Sequence, residues 1–69
     1  MENWQKIYSD KNSFRAEIVK GHLIENNIEA IIINKKDSAY QVFGEYEVHV
    51  HRENVLLALK LINDEIRFE

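Results

Sequence analysis

Two histidines in the second half of the chain, His49 and His51, carry the side chains most able to do chemistry. They occur with Glu47 in the alternating segment YEVHVH, residues 46–51. Side chains two residues apart on a β-strand point to the same face, so all three are expected on one face. Two imidazoles so placed could hold a divalent metal if another strand or subunit supplied a third ligand, or could form a pH-sensitive contact. The same spacing is also common on ordinary exposed sheet faces.

Catalytic chemistry has little support in the remaining residue types. The chain has no cysteine to act as a nucleophile, and no motif around Ser38 marks that hydroxyl as activated. The acidic residues are scattered and form no pair whose environments would separate two pKa values. We therefore predict a protein that is not an enzyme, with no cofactor and no assigned metal; a divalent-metal sensor using His49 and His51 stays open as the alternative.

Length and composition limit the other classes of function. The 69 residues make one domain, 1–69, with a net charge of −3 and no basic patch of the kind that follows a phosphate backbone. The longest apolar runs, Ala30–Ile33 and Val55–Leu59, are too short to span a membrane. The N-terminus lacks the basic region and apolar stretch of a signal peptide. These features predict a cytoplasmic protein that binds neither nucleic acid nor membrane.

Hydrophobic periodicity predicts five elements that position these residues. They are a strand over Trp4–Ser9, a helix over Ser13–Asn26, a strand over Ile28–Asn34, a strand over Tyr46–His51 and a helix over Arg52–Ile66. This order favours an α+β fold, β-α-β-β-α, with a three-stranded sheet in the order 1-3-2 and two helices on one face. It corresponds to a truncated ferredoxin-like fold, in which strand 1 is an open edge that tends to be paired or protected.

Both helices have apolar stripes and recognisable ends. In the first, Ala16, Val19 and Leu23 recur at helical spacing. Asn26-Asn27 fits its end because asparagine tolerates the left-handed conformation, and a close approach of the helix to the sheet is one explanation for Gly21. The stripe predicted for the second helix comprises Val55, Ala58, Leu59, Ile62 and Ile66, widened by Leu56, Leu57 and Leu61.

Alternation along the strands predicts an apolar surface on the side of the sheet away from the helices. If Ile7 faces the helices, then this uncovered side carries Trp4, Tyr8, Ile31, Ile33, His49 and His51, with Lys6 and Glu29 beside them. Large exposed apolar patches usually mark an interaction site. Because a domain this small has a thin stability margin, self-association is the economical explanation, and we predict a homo-oligomer that binds a protein or a small ligand.

A second candidate contact is the long connection Lys35–Gly44 between strands 2 and 3. As a docking loop, it would attract an anion with Lys35 and Lys36 and anchor a partner with Tyr40 and Phe43. In the structural interpretation, its aromatic residues fold back over the sheet and cap a small core. The sequence leaves both interpretations open.

The central block, RAEIVKGHLIENNIEAIIINKKDSAYQVFGEYEVHVHRENVLLAL, resembles a family of small bacterial domains described as prokaryotic signal-transducing proteins, of unknown function and distantly PII-like. The matching features are AEIVKGHLIENNIEA, FGEYEVHV, the alanine at Ala58, and Trp4 with the YS that follows it. The resemblance implies a PII-like fold and a regulatory role. With only Gly21 and Gly44, the chain lacks a glycine-rich phosphate cradle, so neither ATP binding nor nucleotidylation of Tyr40 carries over.

Overall fold

A computed structural model describes residues 3–35 and 45–66 of the chain. Its elements are β1 (Trp4–Asp10), α1 (Ser13–Glu25), β2 (Ala30–Asn34), β3 (Tyr46–His51) and α2 (Val55–Glu65), with one 3₁₀ turn, Arg52–Asn54, before α2. The predicted order of elements is confirmed. The second strand begins two residues later than predicted, because Ile28 belongs to the turn that leaves α1.

The sheet has the predicted order, β1-β3-β2, with both outer strands antiparallel to β3. Along β2 the pairing runs from Ala30 opposite Val50 to Asn34 opposite Tyr46. The β2–β3 hairpin continues for one more hydrogen bond, from the backbone N–H of Lys35 to the carbonyl of Glu45 at 3.0 Å. Residues 36–44, which include most of the predicted docking loop, lie outside the described part of the chain.

Both helices pack on one face of this sheet, as predicted. The core consists of side chains from α1, the turn after it, the strands and α2 that are at most 5% exposed: Ala16, Val19, Leu23, Ile28, Ala30, Val48, Val50 and Ala58. The α1 members are three and four residues apart, so they share one side of the helix. The strand members alternate along β3, which leaves the other side of that strand facing away from the helices.

The placement predicted for Tyr8 was wrong, because β1 contains a β-bulge. Lys6 pairs with His49, but Tyr8 pairs with Val48, so the register shifts by one residue at Ile7. An extra residue in one strand breaks the alternation of faces. Both Ile7 and Tyr8 therefore pack against the core under the helices, and Tyr8 does not lie on the uncovered face.

Asparagines begin and end α1. The side chain of Asn12 accepts a hydrogen bond from the backbone N–H of Phe14 at 2.9 Å, which caps the first turn. At the other end Asn27 has φ of 65°, as predicted from its tolerance of the left-handed region. The N–H groups of Asn27 and Ile28 donate to the carbonyls of Ile24 and Leu23 at 3.0 and 2.9 Å. This is a Schellman motif, and it directs the chain into β2.

The second helix is more exposed than its predicted stripe implied. Ala58 is its only fully buried residue, whereas Leu59 is 43% exposed, Leu57 50% and Leu56 84%. Successive residues on a helix are about 100° apart, so residues next to Ala58 rotate away from the sheet. Leu59 therefore falls outside the buried stripe. His22 on α1 lies 3.2 Å from Glu65 at the end of α2, although its buried Nε2 is not aligned for a hydrogen bond with any described residue.

Gly21 lies on the exposed side of α1, and the predicted close approach to the sheet is wrong. A Cβ added at this position would meet nothing within 4 Å. We expect Gly21→Ala to raise the free energy of unfolding by about 0.5–1 kcal/mol, because alanine loses less backbone entropy in a helix interior. Chemical denaturation would measure the change. A loss of stability would show that α1 needs glycine at this position.

Candidate interaction site on the open sheet face

The side of the sheet opposite the helices, here called the open face, is a grid of three rows across the strands. The rows, from β1 through β3 to the β2 side, are Trp4, His51 and Glu29; Lys6, His49 and Ile31; and Ser9, Glu47 and Ile33. Glu29 precedes the first residue of β2 but reaches His51 directly. The predicted contact residues Trp4, Ile31, Ile33, His49 and His51 are thus brought together.

The first row is held by ring stacking and a short polar contact. The rings of Trp4 and His51 are stacked, with centroids 4.0 Å apart and planes inclined by 29°. On the other side, His51 Nε2 lies 2.5 Å from Glu29 Oε1. The imidazole therefore contacts an aromatic ring and a carboxylate, and it links the two outer residues of the row.

The middle of the face is occupied by a second histidine–carboxylate pair. His49 Nε2 lies 3.0 Å from Glu47 Oε1, and the ammonium of Lys6 lies 3.8 Å from the other oxygen of the same carboxylate. The His49 side chain is only 12% exposed, and its buried Nδ1 has no hydrogen-bond partner among the described residues. Glu47 therefore joins β1 to β3 across the face.

The geometry does not direct the two strand histidines at one metal ion. Each Nε2 faces a different carboxylate, Glu47 for His49 and Glu29 for His51. Within residues 3–35 and 45–66, no three histidine, cysteine or acidic side chains are grouped so as to hold a metal. The described residues therefore give no support to the metal-sensor alternative.

The apolar side chains of the open face lie at its two opposite edges. Trp4 is on β1, and Ile31 and Ile33 are on β2, opposite His49 and Glu47 in register. All three are partly exposed. The open face thus has two apolar margins on either side of a polar central strand.

The remaining predicted contact residues lie elsewhere. Tyr8 is on the helix side of the sheet, and Lys35 is exposed at the end of the hairpin. Lys36, Tyr40 and Phe43 lie outside the described residues, so the docking loop stays a prediction. Lys6 and Glu29 were not chosen as contact residues from the sequence. Alternation already placed them on this face, but their ionic contacts appear only in the structure.

Comparison with protein families, curated proteins and solved structures found no match to this chain. Neither described helix is long and apolar enough to cross a membrane. What the fold and the site define is a small α+β domain with helices on one sheet face and a partly apolar, histidine-containing surface on the other.

Proposed function

We propose that this chain is a non-enzymatic regulatory binding module of the cytoplasm that acts by self-association and by protein or ligand binding on its open face. The observation that carries the proposal is the partial exposure of Trp4, Ile31 and Ile33 on one sheet face while both helices pack on the other. These side chains form two margins on either side of a polar strand, and exposed apolar surface on one face suits an interaction site. Association also offsets the small core of a 69-residue domain.

We also propose that the domain is related to the small bacterial signal-transducing domains and has a ferredoxin-like, PII-like ancestry. The β-α-β-β-α order and the 1-3-2 sheet support this relation at the level of fold alone. The role proposed is signal transduction through binding. Neither nucleotide binding nor modification of Tyr40 forms part of the proposal.

The size of the open face sets the strength of the association. Neighbouring strands lie about 4.8 Å apart and each residue rises about 3.3 Å, so three short strands cover roughly 14 by 20 Å. A standard stable interface buries about 800 Å² on each partner, and the open face is smaller. We therefore expect weak, reversible association that is visible only over a concentration series.

The test compares Trp4→Ala with Leu56→Ala by sedimentation or light scattering over that series. Trp4 lies on the open face, whereas Leu56 is a more exposed apolar residue on the helix side, 84% accessible. We expect Trp4→Ala to raise the dissociation constant about tenfold or more, because tryptophans are frequent interface hot spots. Leu56→Ala should leave the dissociation constant unchanged.

A second variant separates loss of association from loss of folding. Ile33→Thr keeps a β-branched residue that suits a strand but removes apolar contact from the open face. It should weaken association while circular dichroism shows an intact fold. A wild-type protein that stays monomeric at all concentrations would reject self-association. A larger loss with Leu56→Ala than with Trp4→Ala would move the interface to the helices.

A further inference from the structure

We infer that the occupant of the open face is a second copy of this chain, with its β2 edge placed over the β1 edge of the first. The two copies would be related by a two-fold axis that lies between the sheets and runs parallel to β3. This inference rests on the proposed self-association and adds its geometry.

The distribution of charge across the open face is the first argument. Lys6, on the β1 edge, is 54% exposed, and Glu29, beside the β2 edge, is 69% exposed. The central strand β3 separates the two edges. Strands lie about 4.8 Å apart, so the backbones that carry these two charges are about 10 Å apart within one chain. Each charge can therefore attract an opposite charge on another molecule.

Symmetry decides which edges meet. In a two-fold, face-to-face pair the same surface is used twice. An axis parallel to β3 exchanges left and right, so the basic β1 edge lies over the partner's acidic β2 edge in both halves of the interface. An axis across the strands would place β1 on β1 and bring Lys6 near the partner's Lys6. Only the first arrangement pairs opposite charges at the edges.

The rows of the two copies stay aligned in this arrangement, because a two-fold axis parallel to β3 does not shift one chain along the strands of the other. Trp4 and Lys6 occupy neighbouring rows on β1, and Glu29 and Ile31 occupy the same two rows at β2. Trp4 therefore lies over the partner's Glu29 and Lys6 over the partner's Ile31, and a crossing of about 30° between packed sheets shifts the facing edges by only about a third of a row. The long Lys6 side chain reaches diagonally toward the partner's Glu29 one row away, whereas Trp4 stays over the row of the partner's Glu29 and does not meet Ile31.

The central strand meets its own copy, which brings Glu47 toward the partner's Glu47. Repulsion there is reduced because each Glu47 already lies 3.8 Å from the ammonium of Lys6 and 3.0 Å from His49. The remaining central residue, His51, is held by Trp4 and Glu29 at the end of the strand. The favourable contacts are therefore concentrated at the two edges.

The test uses two charge reversals, Lys6→Glu and Glu29→Lys. The dissociation constant is measured at low salt for each single variant, for an equimolar mixture of the two, and for the double variant. Each single variant places like charges at both edges of its own dimer, so its dissociation constant should rise about tenfold. An equimolar mixture restores opposite charges at both edges of the mixed dimer. The double variant restores them in its own dimer. Both should regain wild-type affinity.

Controls match the changes in net charge away from the open face. Lys60→Glu on α2 and Glu17→Lys on α1 reverse exposed charges on the helices and should leave association unchanged. Each reversal on the open face also removes a contact within its own chain, from Lys6 to Glu47 or from Glu29 to His51. Recovery in the mixture cannot come from those contacts, because each chain keeps its own substitution.

The outcomes separate the arrangement from the proposed function. Failure of both the mixture and the double variant to recover, with Trp4→Ala still weakening the wild-type dimer, would overturn the arrangement and leave the function standing. If the mixture recovers but the double variant does not, and Lys6→Met associates more tightly than the wild type, the two-fold axis runs across the strands. That result would also overturn the proposed arrangement. A wild-type chain without self-association would remove the function and the arrangement together.

Discussion

Replacing Leu23 with alanine is expected to lower the free energy of unfolding by about 2–5 kcal/mol. Leu23 is 0% exposed and is among the largest fully buried side chains of the described residues. Truncation removes apolar surface from the core and leaves a cavity that the surrounding side chains fill only partly. Because natural domains are stable by only about 5–15 kcal/mol, this one change should remove a large part of the total.

Ile24→Ala is the matched control for this measurement. Ile24 is the next residue on the same helix and loses the same number of carbon atoms on truncation, but its side chain is 49% exposed. We expect it to change the free energy of unfolding by less than about 1 kcal/mol, as most surface substitutions do. Chemical denaturation of dilute protein compares the two variants. Equal losses would mean that the outer side of α1 is also covered.

The contrast between neighbouring helix residues shows what the sequence could predict. Apolar spacing identified Ala16, Val19 and Leu23 as the buried side of α1, and the structure places all three in the core. The same approach found the sheet order and the alternation along β3. These features follow from periods of 3.6 and 2, which local sequence carries directly.

Features that depend on tertiary geometry were harder to predict from the sequence. The bulge at Ile7 turned Tyr8 to the helix side, and nothing in WQKIYSD marks the extra residue. In α2 every residue from Val55 to Leu59 is apolar, so periodicity could not select the side that packs. The exposed position of Gly21, in contrast, was predictable, because at about 100° per residue it lies opposite the stripe of Ala16, Val19 and Leu23.

For the candidate site, too, the sequence predicted some features and missed others. Alternation alone placed His49, His51 and Trp4 on one face, and the structure agrees. The pairing of His51 with Glu29 joins residues 22 positions apart, so it depends on the β2–β3 register. Sequence can therefore indicate which residues share a surface, whereas their ionic partners follow from strand pairing.

The second large effect is expected where β1 meets α1, at the hydrogen bond between Tyr8 and Asp10. The Tyr8 hydroxyl donates to Asp10 Oδ2 at 2.7 Å, and the other carboxylate oxygen accepts from the backbone N–H of Asn12 at 2.8 Å. Arg15 lies 3.8 Å from the same carboxylate. Asp10 thus connects the end of β1 to the capped start of α1.

These contacts shift two pKa values in opposite directions. Burial, followed by the hydrogen bond to Asp10 and the charge of that carboxylate, raises the pKa of Tyr8 from 10.0 to about 12. The hydrogen bond from Tyr8, followed by that from the Asn12 backbone, lowers the pKa of Asp10 below 3.8. The contribution of Tyr8 to the free energy of unfolding is complete below pH 10.0 and is lost as the pH rises toward about 12. The contribution of Asp10 to the free energy of unfolding is complete above pH 3.8 and is lost as the pH falls through its lowered pKa.

Tyr8→Phe tests both pKa shifts, that of Tyr8 and that of Asp10, with one variant. It removes the hydroxyl while keeping the ring that packs against the core, so we expect a loss of about 1 kcal/mol near neutral pH. Denaturation of both proteins across the pH range gives the stability difference, in which most other titrating groups cancel. That difference should be constant at intermediate pH and shrink on both sides, most clearly between pH 10 and 12. A difference that stays constant up to pH 12 would show that the phenol titrates alike in the folded and unfolded chain.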